Sequence, residues 1–225
     1  MRILKDDKYN SILHHAQREF FRCGFKDASI RTIAKESCVG LSNIYNYLKN
    51  KDEIFTAVVK PAKDVLFRFI TEQHTEKHLD FNNLSAFGHG EEAIDSYINI
   101  ICTYKEEFRL MLYLSQGSSM GNFRDAFTDH ITQVSHNYRK LEKKYFPDSN
   151  NVSRFFIHAM ASWLVSILGE IVTHDLNKRK IREFFREYLL FNFAGWCELT
   201  GKKKEAYPAF FFLGKKSNIV RYWAG

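Results

Sequence analysis

The sequence is short of the residues that turn a chain or cross-link it. Only 3 of its 225 residues are proline and 11 are glycine, too few for the frequent turns of a many-stranded sandwich. Its 4 cysteines, at positions 23, 38, 102 and 197, include no C-x-x-C pair, and this spacing argues against a disulfide or cysteine-metal framework. We therefore expect a mostly helical protein of the reducing cytoplasm.

Export and membrane-spanning patterns are also lacking. The first eight residues are largely charged and contain no apolar stretch of signal-peptide length. The most apolar segment, 155–172, is interrupted by His158, Ser162, Ser166 and Glu170, and such side chains are costly in hydrocarbon. We predict a buried helix in this segment and no membrane partner.

The net charge of +7 is unevenly distributed. Residues 1–55 carry +3, residues 56–200 carry −1, and residues 201–225 carry +5. A net positive charge favours a polyanionic partner, but most of the positive charge of this chain lies near the C-terminus. A nucleic-acid partner therefore has to be inferred from a motif rather than from total charge.

What the sequence contains in abundance is helical periodicity. The first fifty residues predict three short helices, at 9–24, 30–37 and 41–48, with Gly24 as a stop and Ser29 as an N-cap. Asn50 and Glu53 then form a capping-box pattern at the start of a long helix. Pro61 inside that helix predicts a kink near Ala57.

Longer helices are predicted in the remainder of the chain, and no segment alternates convincingly enough for a strand. Apolar spacing indicates helices at about 93–101, 108–114, 123–145, 152–172 and 181–199, a polar loop at 77–90, breaks at 116–121 and 147–151, and a stop at Gly201. The predicted fold is all-α, with a helix-turn-helix head at 1–50, a helical body at 51–201 and a basic, aromatic tail at 202–225.

The head carries a family resemblance. The stretch from Ile30 to Phe55, IRTIAKESCVGLSNIYNYLKNKDEIF, resembles the DNA-binding head of the TetR/AcrR transcriptional regulators in its Ile-Ala pair, its Ile-Tyr pair and its Lys-Asp-Glu-Ile-Phe ending. Two positions depart from the family pattern: Cys38 stands where a turn glycine is usual, and Gly40 where Ser or Thr often caps the recognition helix. The resemblance implies a homodimer that binds a double-stranded DNA operator with two half-sites.

The resemblance also assigns residues to DNA. They lie in or beside the predicted recognition helix: Arg31, Leu41, Ser42, Asn43, Tyr45, Tyr47 and Lys51. Short polar side chains at the start of such a helix reach base edges, and asparagine can pair with adenine through two hydrogen bonds. The tyrosines and the lysine are better suited to phosphates, while the arginine suits either.

The body is expected to pair with a second copy and to bind a small molecule. Both helices within 152–199 are apolar on more than one face, so each needs a second partner surface, and TetR-like proteins use their last two long helices to dimerise. Aromatic, methionine and histidine side chains favour a largely apolar effector pocket, with six candidates: Tyr97, Met111, Tyr113, Phe127, His130 and Trp163. The resemblance implies a repressor that such an effector releases.

Other functions receive less support. His74 and His78 have the spacing of two zinc ligands, but Glu76 between them does not complete an H-E-x-x-H motif. Cys23 and Cys38 leave open a redox-sensing regulator. A constitutive DNA-binding regulator without an effector is a further alternative. No catalytic constellation is present, so we expect no enzyme activity, cofactor or metal.

Overall fold

A computed structural model describes residues 2–76, 90–174 and 176–201. These residues form helices and no strand, as the sequence predicts for an all-α fold. The helices are α1 Arg2–Asp27, α2 Ile30–Glu36, α3 Leu41–Ile44, α4 Lys51–Gln73, α5 Gly90–Thr103, α6 Lys105–Tyr113, α7 Phe123–Tyr145, α8 Arg154–Thr173 and α9 Lys178–Thr200. Apart from Gly90, the predicted loop at 77–90 lies outside the described residues, as does the tail at 202–225.

The first helix begins at Arg2, earlier than the sequence predicts. At its predicted stop, Gly24, the backbone is non-helical, with a φ of 75° and a ψ of 171°, and forms a kink before a short helical segment that ends at Asp27. Glycine tolerates this left-handed φ because it has no Cβ. The kink directs the amide of Phe25 toward the body, where it donates to the carbonyl of Leu114 at 2.8 Å.

A Schellman motif ends α2 and makes the turn into α3. The amide of Val39 donates to the carbonyl of Ala34 at 3.1 Å, and the amide of Cys38 to that of Lys35 at 3.2 Å. This geometry requires a left-handed residue after the helix, and Cys38 provides it with a φ of 55°. The cysteine thus adopts the conformation for which the family usually has glycine.

Helix α3 is shorter than predicted. It ends at Ile44 instead of residue 48, and the amides of Asn46 and Tyr47 donate three residues back, as in a 3₁₀ turn. Its N-cap is Gly40, which has no side chain to cap the first amides. The amide of Leu48 again donates four residues back, to the carbonyl of Ile44 at 3.0 Å, and the polar side chains of Asn43 and Asn46 favour such a turn over a regular helix.

The predicted capping box begins α4. The Asn50 side chain accepts from the amide of Glu53 at 2.8 Å, and the Glu53 carboxylate accepts at 2.8 Å from the amide of Lys49, one residue earlier than the usual pairing. The helix then runs unbroken through Pro61 to Gln73.

One hydrophobic core connects head and body. Phe55 of α4 packs edge-on against Phe20 and Phe25 of α1, with ring centroids 5.1 and 5.3 Å apart. In the body, α4 packs on α6 and α7, α7 on α8, and α5 on α9. Because α4 contributes to this core in both the head and the body, it fixes the position of the head on the body.

Helix α8 has a buried face and an exposed apolar one. By length and composition it is the one described helix that could cross a membrane. In this fold α8 packs on α7 and α6, and Ile157, Ala161, Val165 and Leu168 are among its buried residues. On its other face Trp163 packs against Tyr188 and Phe191 of α9, while Phe155 remains 80% exposed.

Candidate nucleic-acid interface

The exposed edge of α3 carries the residues expected to read bases. Leu41, Ser42 and Asn43 are all exposed at the start of the helix, and the Tyr45 side chain follows them with 47% of its surface accessible. Ile44, by contrast, is fully buried and holds the helix on the head. Because Ile44 anchors α3 in the head, the exposed side chains of the helix project from a fixed backbone.

A neighbouring amide orients Asn43. The Nδ2 atom of Asn46 donates to Oδ1 of Asn43 at 3.3 Å. A carbonyl oxygen has two acceptor positions, so this bond orients the amide and leaves one acceptor position and both N–H groups for another partner. Asn46 was not predicted, although its position three residues after Asn43 on a helix is a signal for such a pair.

The two predicted tyrosines differ in their surroundings. Tyr45 is exposed, whereas Tyr47 is half-buried and its ring centroid lies 6.3 Å from that of Tyr9 in α1. Part of the Tyr47 side chain therefore packs within the head, and Tyr45 is the more accessible of the two.

Arg31 is exposed in the first turn of α2, which a buried carboxylate holds in place. Ser29 caps the helix by accepting from the amide of Thr32 at 3.4 Å, and its own amide donates to Glu19 of α1 at 3.1 Å. Burial tends to raise the pKa of Glu19, but hydrogen bonds from Arg22 and the Ser29 amide lower it overall. The charged carboxylate thus ties α2 to α1.

Lys51 does not project freely. Its Nζ atom donates to the carbonyl oxygens of Lys26 and Ala28 at 3.0 and 3.1 Å, and lies 4.7 Å from the ring centroid of Phe25. The predicted phosphate contact is therefore already engaged with the corner between α1 and α2. Sequence spacing gives no sign of these bonds, because the acceptors lie 25 and 23 residues away.

The next residue of α4 contacts the body. Asp52 accepts through Oδ1 from the backbone amide of Ser119 at 2.7 Å, in the loop between α6 and α7. Gly117 of this loop lies close enough to Phe25 that an added Cβ would be 3.8 Å from its ring. The first turn of α4 is thus bonded to the head through Lys51 and to the body through Asp52.

Comparison with known proteins agrees with this geometry. Residues 12–58 match the model of the bacterial regulatory proteins of the tetR family. Similar solved structures include a TerR/AcrR-family transcriptional regulator from Aquifex aeolicus VF5, at 16% identity, a TM-score of 0.55 and coverage of 82% of this chain and 98% of that one. The head and the fold are those of the TetR/AcrR family.

Two further TetR-like folds support this assignment. A TetR-like transcriptional regulator from Rhodococcus sp. RHA1 has a TM-score of 0.56 at 12% identity, covering 84% of this chain and 96% of that one. A proposed fatty acid metabolism regulator from Clostridium perfringens has a TM-score of 0.58 at 16% identity, covering 80% and 96%. No curated protein matches the sequence.

The six residues predicted to line an effector pocket lie in different parts of the TetR-like body. Tyr97 packs between Phe69 and Phe185, with centroids 4.5 and 5.4 Å away, and Trp163 joins the same aromatic group through Tyr188. Burial raises the pKa of Tyr97 to about 12, so its phenol is neutral near pH 7.

The other four candidates lie outside that group. Phe127 and His130 surround Phe67, at centroid distances of 5.2 and 4.5 Å. Met111 is buried in the core, and Tyr113 is exposed with its hydroxyl directed at Gly169. The structure therefore distributes the six among several packed groups, and their role as a pocket stays a prediction.

A groove between α7 and α8 is lined by none of the six. Its walls are polar apart from one aromatic side chain: Asp129, Thr132, Gln133, Arg154, Phe155 and His158. The Nδ1 atom of His158 lies 3.3 Å from the Thr132 hydroxyl and 4.0 Å from Asp129. The groove opens beside the exposed face of α8.

Two residues considered for metal or redox sensing, His74 and Cys23, are hydrogen-bonded within the fold. Both ring nitrogens of His74 have hydrogen-bond partners, the Ile70 carbonyl at 2.7 Å and the Ser135 hydroxyl at 3.0 Å; His78 lies outside the described residues. Within the described chain no three potential ligands form a metal-binding group. Burial raises the pKa of the Cys23 thiol, which disfavours the reactive thiolate, while Cys38 is exposed.

Proposed function

We propose that the protein is a cytoplasmic transcriptional repressor that binds a palindromic DNA operator as a homodimer and is released by a small-molecule effector. The observation that supports DNA binding most directly is the exposed polar edge of α3 on a buried three-helix support. An edge of this kind fits the major groove, where base edges have a distinct pattern of donors and acceptors.

The exposed residues divide by chemistry. Ser42 and Asn43 are proposed to contact base edges, since the Asn43 amide is held by Asn46 and keeps the groups needed for adenine. Leu41 offers an apolar contact to a base. Tyr45, Tyr47 and Arg31 are proposed to contact phosphates, with Arg31 able to reach a base as well.

The exposed face of α8 and α9 supports a homodimer. Phe155 and Phe191 are 80% and 67% exposed, and Trp163, Leu190 and Leu199 are also exposed on the same two helices. Exposed apolar side chains in such number mark an interaction surface. A two-fold pair formed there presents two heads to two half-sites.

Charge placed on this face tests the dimer. Phe191→Asp is expected to yield monomers in sedimentation equilibrium, because it puts a carboxylate into an apolar interface. Tyr45→Asp is the matched control: it makes the same kind of change on the head and should leave the dimer intact. A Phe191→Asp protein that remains dimeric at the wild-type concentration range would refute this interface.

The link between body and head supports control by an effector. The Ser119 amide donates to Asp52 and the Phe25 amide donates to Leu114, so that hydrogen bonds connect the head and the first turn of α4 to the end of α6 and the loop after it. An effector that prefers one arrangement of the body shifts the population of heads with the spacing the operator requires.

A constitutive DNA-binding regulator is the second candidate. The dispersion of the six predicted pocket residues among packed groups favours it. A thermal-shift screen separates the two: small molecules that raise the melting temperature and release DNA support effector control, whereas the lack of any stabiliser supports constitutive binding. Stabilisation by a metal ion would support a metal-sensing regulator.

Selection of bound fragments from the organism's own DNA tests operator binding. Wild-type protein should enrich a palindromic sequence, and Asn43→Ala should relax the preference at one position in each half-site. Asn10→Ala, which removes an exposed asparagine from α1 of the same head, should leave the preference unchanged. Failure of the wild-type protein to enrich any sequence would refute the proposed function.

A further inference from the structure

We infer that Lys51 is a positioning residue of the head and that Lys49, two residues earlier, supplies the phosphate contact that the family pattern assigns to Lys51. The inference rests on the proposed DNA binding and refines it. Its basis is the difference between the surroundings of the two ammonium groups.

The Lys51 ammonium is used to close the corner between α1 and α2. Carbonyl groups at a helix C-terminus have no intrahelical partner and carry partial negative charge. Two such oxygens, those of Lys26 and Ala28, accept from Nζ at 3.0 and 3.1 Å. An ammonium group has three N–H donors, so two of its three are taken by the protein.

The ring of Phe25 adds a third attraction. It lies 4.7 Å from Nζ, within the range of a cation–π contact. The same ring packs against Phe55 of α4, and the Phe25 amide bonds the body at Leu114. Movement of Lys51 toward a phosphate would break its contacts at the junction of α1, α2 and α4.

The ammonium group of Lys49, unlike that of Lys51, is not used within the described chain. Its backbone amide is fixed by the Glu53 carboxylate at 2.8 Å, but its side chain is exposed, and within the described chain its ammonium has no hydrogen-bond or ion-pair partner. It stands between the turn that carries Tyr45 and Tyr47 and the N-terminus of α4. A phosphate beside these tyrosines would meet both the lysine and the positive end of the helix dipole.

Salt dependence of binding to a random-sequence duplex distinguishes the two lysines, since each phosphate contact makes the slope of log K against log salt more negative by about 0.9. Lys49→Gln should make this slope less negative by about 0.9 for each head engaged, with an unchanged melting temperature. Lys51→Gln should lower the melting temperature and weaken DNA binding by the same factor at every salt concentration, measured well below unfolding. Lys51→Arg should restore much of that binding.

Lys140→Gln is the matched control, because it removes the same charge from an exposed position on α7 of the body; its slope should equal that of the wild type. The inference is overturned if Lys49→Gln leaves the slope unchanged, if the loss in Lys51→Gln diminishes as salt rises, or if Lys51→Gln binds DNA normally. Lack of any salt-dependent binding by the wild-type protein would instead refute the proposed function.

Discussion

Replacement of Cys38 by glycine is expected to stabilise the protein. The residue has a φ of 55° in the Schellman turn after α2, where a side chain with a Cβ is strained by about 1–2 kcal/mol. Glycine removes the strain but gives the unfolded chain more freedom, which opposes the gain by about 0.5–1 kcal/mol. From the midpoints of the two ranges, the net stabilisation should be about 0.7 kcal/mol.

Little else changes at this position. The Cys38 side chain is exposed, and the two hydrogen bonds of the turn come from backbone amides that glycine retains. For a chain of this length, 1 kcal/mol corresponds to about 2–4 °C in melting temperature, so the expected rise is about 1–3 °C. Differential scanning calorimetry at fixed protein concentration measures it, because the proposed homodimer would make the melting temperature depend on concentration.

Cys38→Ala provides the control, because it removes the thiol but keeps the Cβ. It should melt close to the wild type. If Cys38→Gly is no more stable than Cys38→Ala, the left-handed backbone at residue 38 is not strained and the prediction is refuted. If both variants are more stable than the wild type by the same amount, the thiol rather than the backbone determines the effect.

Three other changes are testable. Arg139→Met should destabilise the protein by about 3–5 kcal/mol in urea unfolding, because it removes the buried ion pair with Glu142 at 2.6 Å together with the guanidinium bonds to Ser149 and Asn150; partial recovery by Glu142→Gln would assign that part of the loss to the ion pair. The pKa of Glu19 is lowered in the folded protein, so the charged carboxylate stabilises the fold above the ordinary pKa of glutamate, and this stabilisation is lost as pH falls through the lowered value. The free energy of unfolding of Glu19→Gln should therefore fall less steeply with acid than that of the wild type. Gly201→Ala should lower the melting temperature, since Gly201 has a φ of 70° and a Cβ there would lie 3.1 Å from Asn150; an unchanged value would contradict this.

Features specified by neighbours in sequence could be predicted from it. Ser29 caps α2 and Gly201 ends α9 as expected, because a cap depends on a few consecutive residues. The length of α3 could not be predicted, because apolar spacing continues to Leu48 although the backbone changes to 3₁₀ turns.

Features that depend on residues far apart in the chain could not be predicted from the sequence. The role of Lys51 is decided by carbonyls of the preceding helix corner, which composition and spacing do not reveal. The same holds for the pocket: Tyr97 and His130 share a chemical character, but the fold packs them against different phenylalanines, Phe69 and Phe67.

The paired bonds of Lys51 and Asp52 restrict how the head of this protein can be exchanged with that of another TetR-like protein. A chimera joined at residue 50 would transplant α1–α3 without the lysine that closes their corner. A junction after residue 52 would keep that corner, but Asp52 would then lose the native loop whose Ser119 amide donates to it. A functional head exchange therefore has to carry the first turn of α4 together with the loop at 115–121.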